Sequence, residues 1–378
     1  MGANNTIIIN GNQFSFDPDE TILEVAKRNN IDIPTLCHLK NTTPTGTCGI
    51  CVVEIKGMSE LAESCATLAS ANMAVDTESS KVINSRRKII EGMLSTGNHN
   101  CAARNYDDTD WTQFQLNVQK DDKSEQLCPV WGDCRLQDLA YRYQVSGENL
   151  PGNKIPYPIE DVNPFIVRDF SRCISCGRCV KACNEIQVNN AIKFGNNNKT
   201  HTKVIAADDK PLKDSDCVFC GECVQVCPVG ALVEKDVRYK VRPWETKKVH
   251  TTCSYCGVGC QIYLHVKNNK VVKVTGVKGV APNYGSLCVK GRFGFDFINS
   301  EKRLTTPLIR ENGELKKSTW EKAIDLVADR LNKIKNEHGP DSIGVLTSAR
   351  VSNEENYIAN KFTRAVLKTN NIDHCARL

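Results

Sequence analysis

The sequence predicts an α+β protein built of several small modules in series, and three observations carry that prediction. The chain has 378 residues, enough for two to four domains of ordinary size. Apolar residues make up 40% but aromatics only 6%, which suits several small cores better than one large one. Its 20 cysteines stand mostly in tight runs, and small modules need such staples.

Cysteines staple a fold as disulfides or as metal ligands. Met1-Gly2-Ala3-Asn4-Asn5 has neither the basic start nor the apolar run of a secretory signal, so the expected compartment is cytoplasmic and reducing. Repeated C-x2-C spacing also fits metal geometry better than bridges. No apolar stretch reaches 18 residues, so no membrane-spanning helix is expected. Met1 to Thr6 formally fits the myristoylation pattern, yet Thr6 to Ile9 reads better as a first strand. The net charge of +5 carries little weight, because clusters held by thiolates bring negative charge of their own. No basic stripe interleaved with aromatics exists, and no nucleic-acid partner is expected.

In residues 1–80, Thr6 to Ile9, a turn at Asn10-Gly11-Asn12 and a strand through Phe14 and Phe16 make a hairpin. Asp19 or Thr21 then caps a helix running to about Asn29, with Ile22, Val25 and Ala26 inward. Cysteines follow as Cys37-x10-Cys48-x2-Cys51-x13-Cys65, with Gly46 and Gly49 leaving room for an inorganic core. Four thiolates satisfy a 2Fe–2S cluster, and zinc is the alternative that a bare C-x2-C leaves open. Hairpin, helix and spacing together resemble a β-grasp 2Fe–2S ferredoxin. The first gap is longer than in plant-type ferredoxins. It is similar to the N-terminal module of iron-only hydrogenases, the complex I large iron–sulfur subunit and NAD-linked formate dehydrogenases.

Residues 81–145 begin with a helix from about Lys81 to Ser95, followed by His99-x-Cys101. Much later come Cys128-Pro129-Val130-Trp131-Gly132-Asp133-Cys134 and then Arg135-Leu136-Gln137. This resembles the module of the same families in which one histidine and three cysteines hold a 4Fe–4S cluster. The resemblance implies His99, Cys101, Cys128 and Cys134 as ligands. The spacing from His99 to Cys101 is narrower than usual there, and a lone histidine is otherwise a surface or capping residue. A neutral imidazole ligand would leave that site less negative and raise its potential.

Residues 146–165, with Pro151, Pro156, Pro158 and Pro164, read as an ordered linker. In residues 166–240 the run Cys173-x2-Cys176-x2-Cys179-x3-Cys183 is repeated as Cys217-x2-Cys220-x2-Cys223-x3-Cys227-Pro228. This is the two-cluster 4Fe–4S ferredoxin signature, in which the fourth cysteine of each run serves the other cluster. Cys173, Cys176, Cys179 and Cys227 would hold one cluster, and Cys217, Cys220, Cys223 and Cys183 the other.

Residues 246–378 open with Cys253-x2-Cys256-x3-Cys260-x27-Cys288, then Val289-Lys290-Gly291-Arg292. Ser318 and Glu321 form a capping box before a helix that carries Ala323, Ile324, Val327 and Leu331 and is stopped by Gly339-Pro340, and as an isolated fragment this region is expected to expose apolar surface. Ile343 to Thr347 reads as a buried strand, Asn353 to Lys368 as a helix, and Asn371 to Cys375 as a further extended segment. These elements are an α/β layer in construction.

The Cys253 to Cys288 spacing and the closing Asn371-Ile372-Asp373-His374-Cys375-Ala376-Arg377-Leu378 resemble the molybdopterin-dependent oxidoreductases, most closely the formate dehydrogenases. The resemblance implies one 2Fe–2S and four 4Fe–4S clusters passing electrons one at a time. It implies formate oxidation at a bis-molybdopterin guanine dinucleotide centre holding Mo or W, and a catalytic role for Lys290 between cluster and pterin. After a Cys-Ala-Arg segment the family places its metal ligand, cysteine or selenocysteine. A stop here is therefore expected to be a UGA codon. No G-x-G-x-x-G or P-loop is present, so NAD or NADP would need a flavin-bearing iron–sulfur partner subunit, with ferredoxin or a hydrogenase as other partners. The rival readings are a stand-alone electron carrier, a complex I large-subunit-like chain and a hydrogenase-associated subunit.

Overall fold

The computed structural model describes residues 5–44, 46–96, 99, 128–145, 158–196 and 202–374, which divide into two compact units, 1–246 and 247–378. The expected modules 1–80, 81–145 and 166–240 all fall in the first unit.

Strands β1 (Thr6–Ile9) and β2 (Asn12–Ser15) form the expected hairpin. Asn10 and Gly11 turn it with φ of +51° and +81°, the left-handed pair a two-residue turn demands. Helix α1 (Ile22–Arg28) starts at Thr21, whose side chain accepts from Glu24 N while the Glu24 carboxylate accepts from Thr21 N. Strands β3 (Val52–Ile55), β4 (Ala62–Glu63) and β5 (Ala74–Asp76) complete a sheet of order β2-β1-β5-β3-β4, in which only β1 and β5 are parallel. Ile22, Leu23, Val25 and Ala26 of α1 bury against Ile7, Ile9, Val53 and Val75 of the sheet. Each such aliphatic side chain stabilises the layer by about 1.5–3 kcal/mol.

Helix α2 (Ser80–Thr96) carries Val82, Ile90 and Leu94 at four-residue spacing on one buried stripe, with Arg86 in the middle of it. Helix α3 (Arg135–Tyr143) lies beside α2 and buries Leu136, Leu139, Ala140 and Tyr143.

Of the expected linker, residues 146–157 lie outside the described residues, and the remainder is anchored. Glu160 forms a bridge with Arg168 and accepts from its Nε at 2.9 Å. Arg168 closes β6 (Ile166–Arg168), which pairs antiparallel with β9 (Leu232–Glu234). Between them stand α4 (Arg178–Lys181), a π-helical turn (Ala182–Ile186), the hairpin β7 (Lys193–Asn196) and β8 (Thr202–Ile205), and α5 (Glu222–Val226).

The second unit begins with an antiparallel sheet of β10 (Lys247–Thr252), β11 (Gln261–Lys267) and β12 (Lys270–Gly276), followed by α6 (Val289–Phe293). A hairpin, β13 (Leu308–Glu311) and β14 (Glu314–Lys317), leads to α7 (Trp320–His338), β15 (Val345–Thr347), α8 (Asn353–Lys361) with a π-helical turn (Phe362–Leu367), and β16 (Ile372–His374). Strands β15 and β16 pair in parallel.

Two expectations change here, the cap of α7 and the burial of the strand that follows it. Thr319, not Ser318, caps α7 and accepts from Lys322 N at 3.3 Å, because Ser318 is still tied to the hairpin through its N–H to Pro307 O at 2.9 Å. No residue of α7 is buried, and Ile324 and Val327 are more than half exposed. Only Val345–Thr347 of the expected buried strand pairs, with Leu346 exposed. Val345 and Thr347 are half-buried, so Leu346 lies on the face that the described residues leave uncovered. Among the described residues no helix is long and apolar enough to cross a membrane.

Candidate metal centres

Cys37, Cys48 and Cys51 lie on the loop between α1 and β3, and Cys65 follows β4; all four are buried. They associate as two hydrogen-bonded pairs, Cys37 with Cys48 and Cys51 with Cys65. Two thiolates for each of two irons is the arrangement a 2Fe–2S core requires. The bond with Cys37, and then burial, push the Cys48 thiol up; the bond with Cys51 and burial do the same to Cys65. Cys51, receiving the Cys65 hydrogen bond, is brought down to about 7. Arg86 fixes this loop from behind. Its Nε donates to Ile50 O at 3.0 Å and its Nη2 to Val52 O at 2.8 Å, the carbonyls on either side of Cys51.

Cys128 and Cys134 bound a tight turn ahead of α3, in which Trp131 N donates to Cys128 O at 3.0 Å. The Gln137 side chain accepts from Gly132 N at 2.9 Å, and Leu136 is fully buried, which explains the Leu-Gln that trails Cys134. Cys128 is flanked by Arg242, whose Nη1 donates to its carbonyl at 2.6 Å, and by Arg172, whose Nη1 donates to its sulfur at 3.5 Å. Burial pushes the Cys128 thiol up, and the two guanidiniums pull it back. His99 is half-buried with Nε2 shielded from solvent. Cys101 lies outside the described residues.

The two ferredoxin runs meet crosswise. Cys173, Cys176, Cys179 and Cys227 line one cavity with Phe170 and Val204, and Cys183, Cys217, Cys220 and Cys223 line a second. Burial pushes Cys173 up to about 11 and Cys176 up to about 12, and carries Cys179 and Cys223 well above the usual thiol range. A core of ferric and ferrous ions is what would deprotonate such thiols. Among the described residues no three His, Cys, Asp or Glu side chains form a site for a single ion. These thiols surround cavities instead.

Arg178 tests the fit of an anionic core. It is buried, its Nε and Nη1 have no hydrogen-bond partner, and burial and then Arg135 push its guanidinium down. The groups that oppose this are Cys176, Cys227 and Cys37, thiols of two different sets. A buried cation without an anion is costly, whereas net-negative tetrathiolate clusters held by these cysteines would satisfy it. One turn on, Lys181 Nζ donates to Thr43 O, and Glu185 accepts from Thr43 N at 2.7 Å. Thr43 belongs to the loop joining Cys37 to Cys48.

Cys37, Cys48, Cys134 and Cys176 share a single apolar core with Leu36, Ile50, Leu136 and Val229, against which Cys173 and Cys227 also pack. Thiols from all three expected modules of the first unit therefore border one water-excluding interior.

In the second unit, Cys253, Cys256 and Cys260 occupy the β10–β11 loop and Cys288 precedes α6. Cys253 N donates to Cys260 O at 2.8 Å, and Gly291 N donates to Cys288 Sγ at 3.5 Å. A Cβ on Gly291 would stand 3.7 Å from Cys253 Sγ and 3.9 Å from Cys288 Sγ, so these thiols converge on α6. Lys290 is exposed on the first turn of that helix. None of the described cysteines forms a disulfide.

The arginines around these thiols escaped sequence reading. Arg172 and Arg178 each stand directly before a cysteine, and Arg86 interrupts an apolar i, i+4 stripe. Those are the signals that could have found them.

Family comparisons agree with this layout. Residues 3–80 match the 2Fe–2S iron-sulfur cluster binding domain and residues 172–231 the 4Fe–4S dicluster domain. Residues 246–300 match the molybdopterin oxidoreductase Fe4S4 domain, and residues 303–378 the molybdopterin oxidoreductase family. Two relatives bear formate dehydrogenase names: YrhE of Bacillus subtilis, 32% identical over 98% of this chain, and one from Staphylococcus aureus strain USA300, 31% identical over 98%. YjgC of B. subtilis, named as an oxidoreductase, is 30% identical over the whole chain. The chain spans about 40% of the length of these relatives. A crystal structure of an NAD+-reducing NiFe-hydrogenase is similar with a TM-score of 0.52 and 27% identity, covering 63% of this chain and 91% of that one. The chain carries 2Fe–2S and 4Fe–4S dicluster domains ahead of a molybdopterin oxidoreductase Fe4S4 domain and the start of a molybdopterin oxidoreductase domain.

Proposed function

We propose that this chain is the electron-relay portion of a formate dehydrogenase, carrying one 2Fe–2S and four 4Fe–4S clusters. The observation that supports this most is the gathering of thiols from three modules around one apolar core, with the buried Arg178, whose Nε and Nη1 lack partners, under the influence of thiols from two of the sets. When bound, a bis-molybdopterin guanine dinucleotide centre with Mo or W would supply the conversion of formate to carbon dioxide, one proton and two electrons, and the clusters would carry those electrons singly.

The chain's own residues then have these tasks. Cys253, Cys256, Cys260 and Cys288 hold the entry cluster, with Lys290 directed to the electron step beside the pterin. The crosswise cysteine sets 173/176/179/227 and 217/220/223/183 hold the ferredoxin pair. His99, Cys101, Cys128 and Cys134 hold the next cluster, and Cys37, Cys48, Cys51 and Cys65 the 2Fe–2S cluster. Leu36, Ile50 and Val229 exclude water between them, and Arg178 offsets the charge of two sets at once. Electrons leave from the N-terminal domain to a flavin and NAD(P)-binding subunit or a ferredoxin.

Similarity to the NAD+-reducing hydrogenase favours a second reading, an electron-transfer subunit of a hydrogenase-type complex. Anaerobic reconstitution of the chain should yield about 18 irons with matching sulfide. Native protein purified anaerobically should reduce a viologen dye with formate. Reduction by hydrogen but not by formate would favour the second reading, and tightly held zinc without sulfide would sink both.

A further inference from the structure

Arg172 is buried between two metal-binding segments. Its Nη1 reaches the Cys128 sulfur at 3.5 Å, its Nε reaches Asp169 Oδ2 at 3.0 Å, and its backbone runs directly into Cys173. A Cβ placed on Gly230 would lie 3.5 Å from both Cys128 Sγ and Arg172 Cδ and 3.0 Å from Val130 Cγ2, so the Gly230 backbone packs directly against this contact. Asp169 is buried too, and its N–H donates to Ala231 O at 2.8 Å. A cation that touches a thiol sulfur and an anion fixed 3 Å behind it therefore sit together in a dry interior.

Taking up one electron makes a cluster one unit more negative. A hydrogen-bond donor and a fixed positive charge at a ligand sulfur favour that reduced form, and a fixed negative charge opposes it. A structural staple would hold two segments together without favouring either redox state. We propose that Arg172 and Asp169 form a charge dyad that sets the reduction potential of the Cys128-ligated centre, Arg172 raising it and Asp169 restraining it. Both are positioning residues acting through the Cys128 sulfur, and the inference rests on the reading of Cys128 as a cluster ligand.

The test is redox titration of the anaerobically reconstituted whole chain, followed by electron paramagnetic resonance. Cys128→Ala identifies the centre: it should remove one 4Fe–4S signal and its iron, and if every signal survives, the ligand reading itself fails. Arg172→Gln should move that signal's midpoint at least tenfold toward the oxidised form, 59 mV for a one-electron couple. Asp169→Asn should move it at least threefold the other way. Arg172→Lys, keeping the charge, should hold the centre and stay within threefold of the parent. Should Arg172→Gln lose its iron, Asp169→Asn and Arg172→Lys decide alone. An unmoved midpoint in Asp169→Asn, or shifts of the same sign in the Gln and Asn variants, would overturn the dyad while leaving Cys128 a ligand.

Discussion

The Arg86 guanidinium donates to the Tyr143 hydroxyl at 2.8 Å, joining α2 to the end of α3 behind the Cys51 loop. The same guanidinium serves Ile50 O, Val52 O and Glu78, so one side chain ties the ligand loop to two helices. Arg86→Leu strands two buried carbonyls and is expected to cost about 3 kcal/mol, at roughly 1–3 kcal/mol for each unsatisfied group. Tyr143→Phe removes the bond from Arg86 and a longer one donated to Glu78 at 3.4 Å, and is expected to cost about 1 kcal/mol. Urea unfolding followed at the 2Fe–2S absorption reads both, and equal losses in the two variants would contradict this division.

Gly132 stands at φ +83°, and a Cβ there would lie 2.6 Å from Trp244 Cζ3. Gly11 has a similar φ of +81° with nothing within 4 Å. Gly11→Ala therefore carries only the left-handed cost of about 1–2 kcal/mol. Gly132→Ala adds the displacement of an indole and should lower the melting temperature further. A changed Trp fluorescence in the second variant alone is the expected signature.

His265 faces Lys248 and Lys273 across the two neighbouring strands, and its Nε2 lies 2.9 Å from Thr275 Oγ1. Burial first, then those two lysines, hold its ring down to about 4. Unfolded, the ring takes its proton near 6.5; folded, it does so only near 4, so between these values the unfolded chain binds more protons. Stability is therefore full above pH 6.5 and declines as the pH falls toward 4, by on the order of 2–3 kcal/mol. His265→Gln should flatten the dependence. Comparing the melting of the parent and this variant at pH 7 and pH 5 checks it, and parallel losses in the two proteins would refute it.

Trp320, Ile324, Val327 and Ile334 share one face of α7, and each is exposed. A continuous apolar face of this kind binds dyes and other proteins. The double variant Ile324→Lys, Val327→Glu should bind less anilinonaphthalene sulfonate and scatter less light, with an unchanged melting temperature. Undiminished dye binding would show that the face contributes little.

Local rules made much of this legible. The Asn10-Gly11 turn, the Thr21 cap and the α2 helix (expected as about 81–95, found as Ser80–Thr96) follow from short-range chemistry. The two cysteine runs line their cavities crosswise, the grouping that the two-cluster signature implies for them. What failed depended on partners far away in sequence. Ser318 and Thr319 are equally able caps, and only the hairpin contact to Pro307 decides between them. Leu346 alternates like a core residue, yet its burial needs a layer that sequence periodicity does not provide. The buried arginines read as surface residues in any composition count, since a count does not show that Arg86 and Arg168 meet Glu78 and Glu160 eight residues away or that Arg172 meets Asp169.

Because thiols from three segments border a common apolar interior, the inorganic centres of the first unit are expected to ripen as coupled events. Emptying one seat exposes the wall of the next, so the neighbours of an unfilled centre should keep their iron but hold it less tightly. Partly metallated forms would then be short-lived prey for oxygen and proteases.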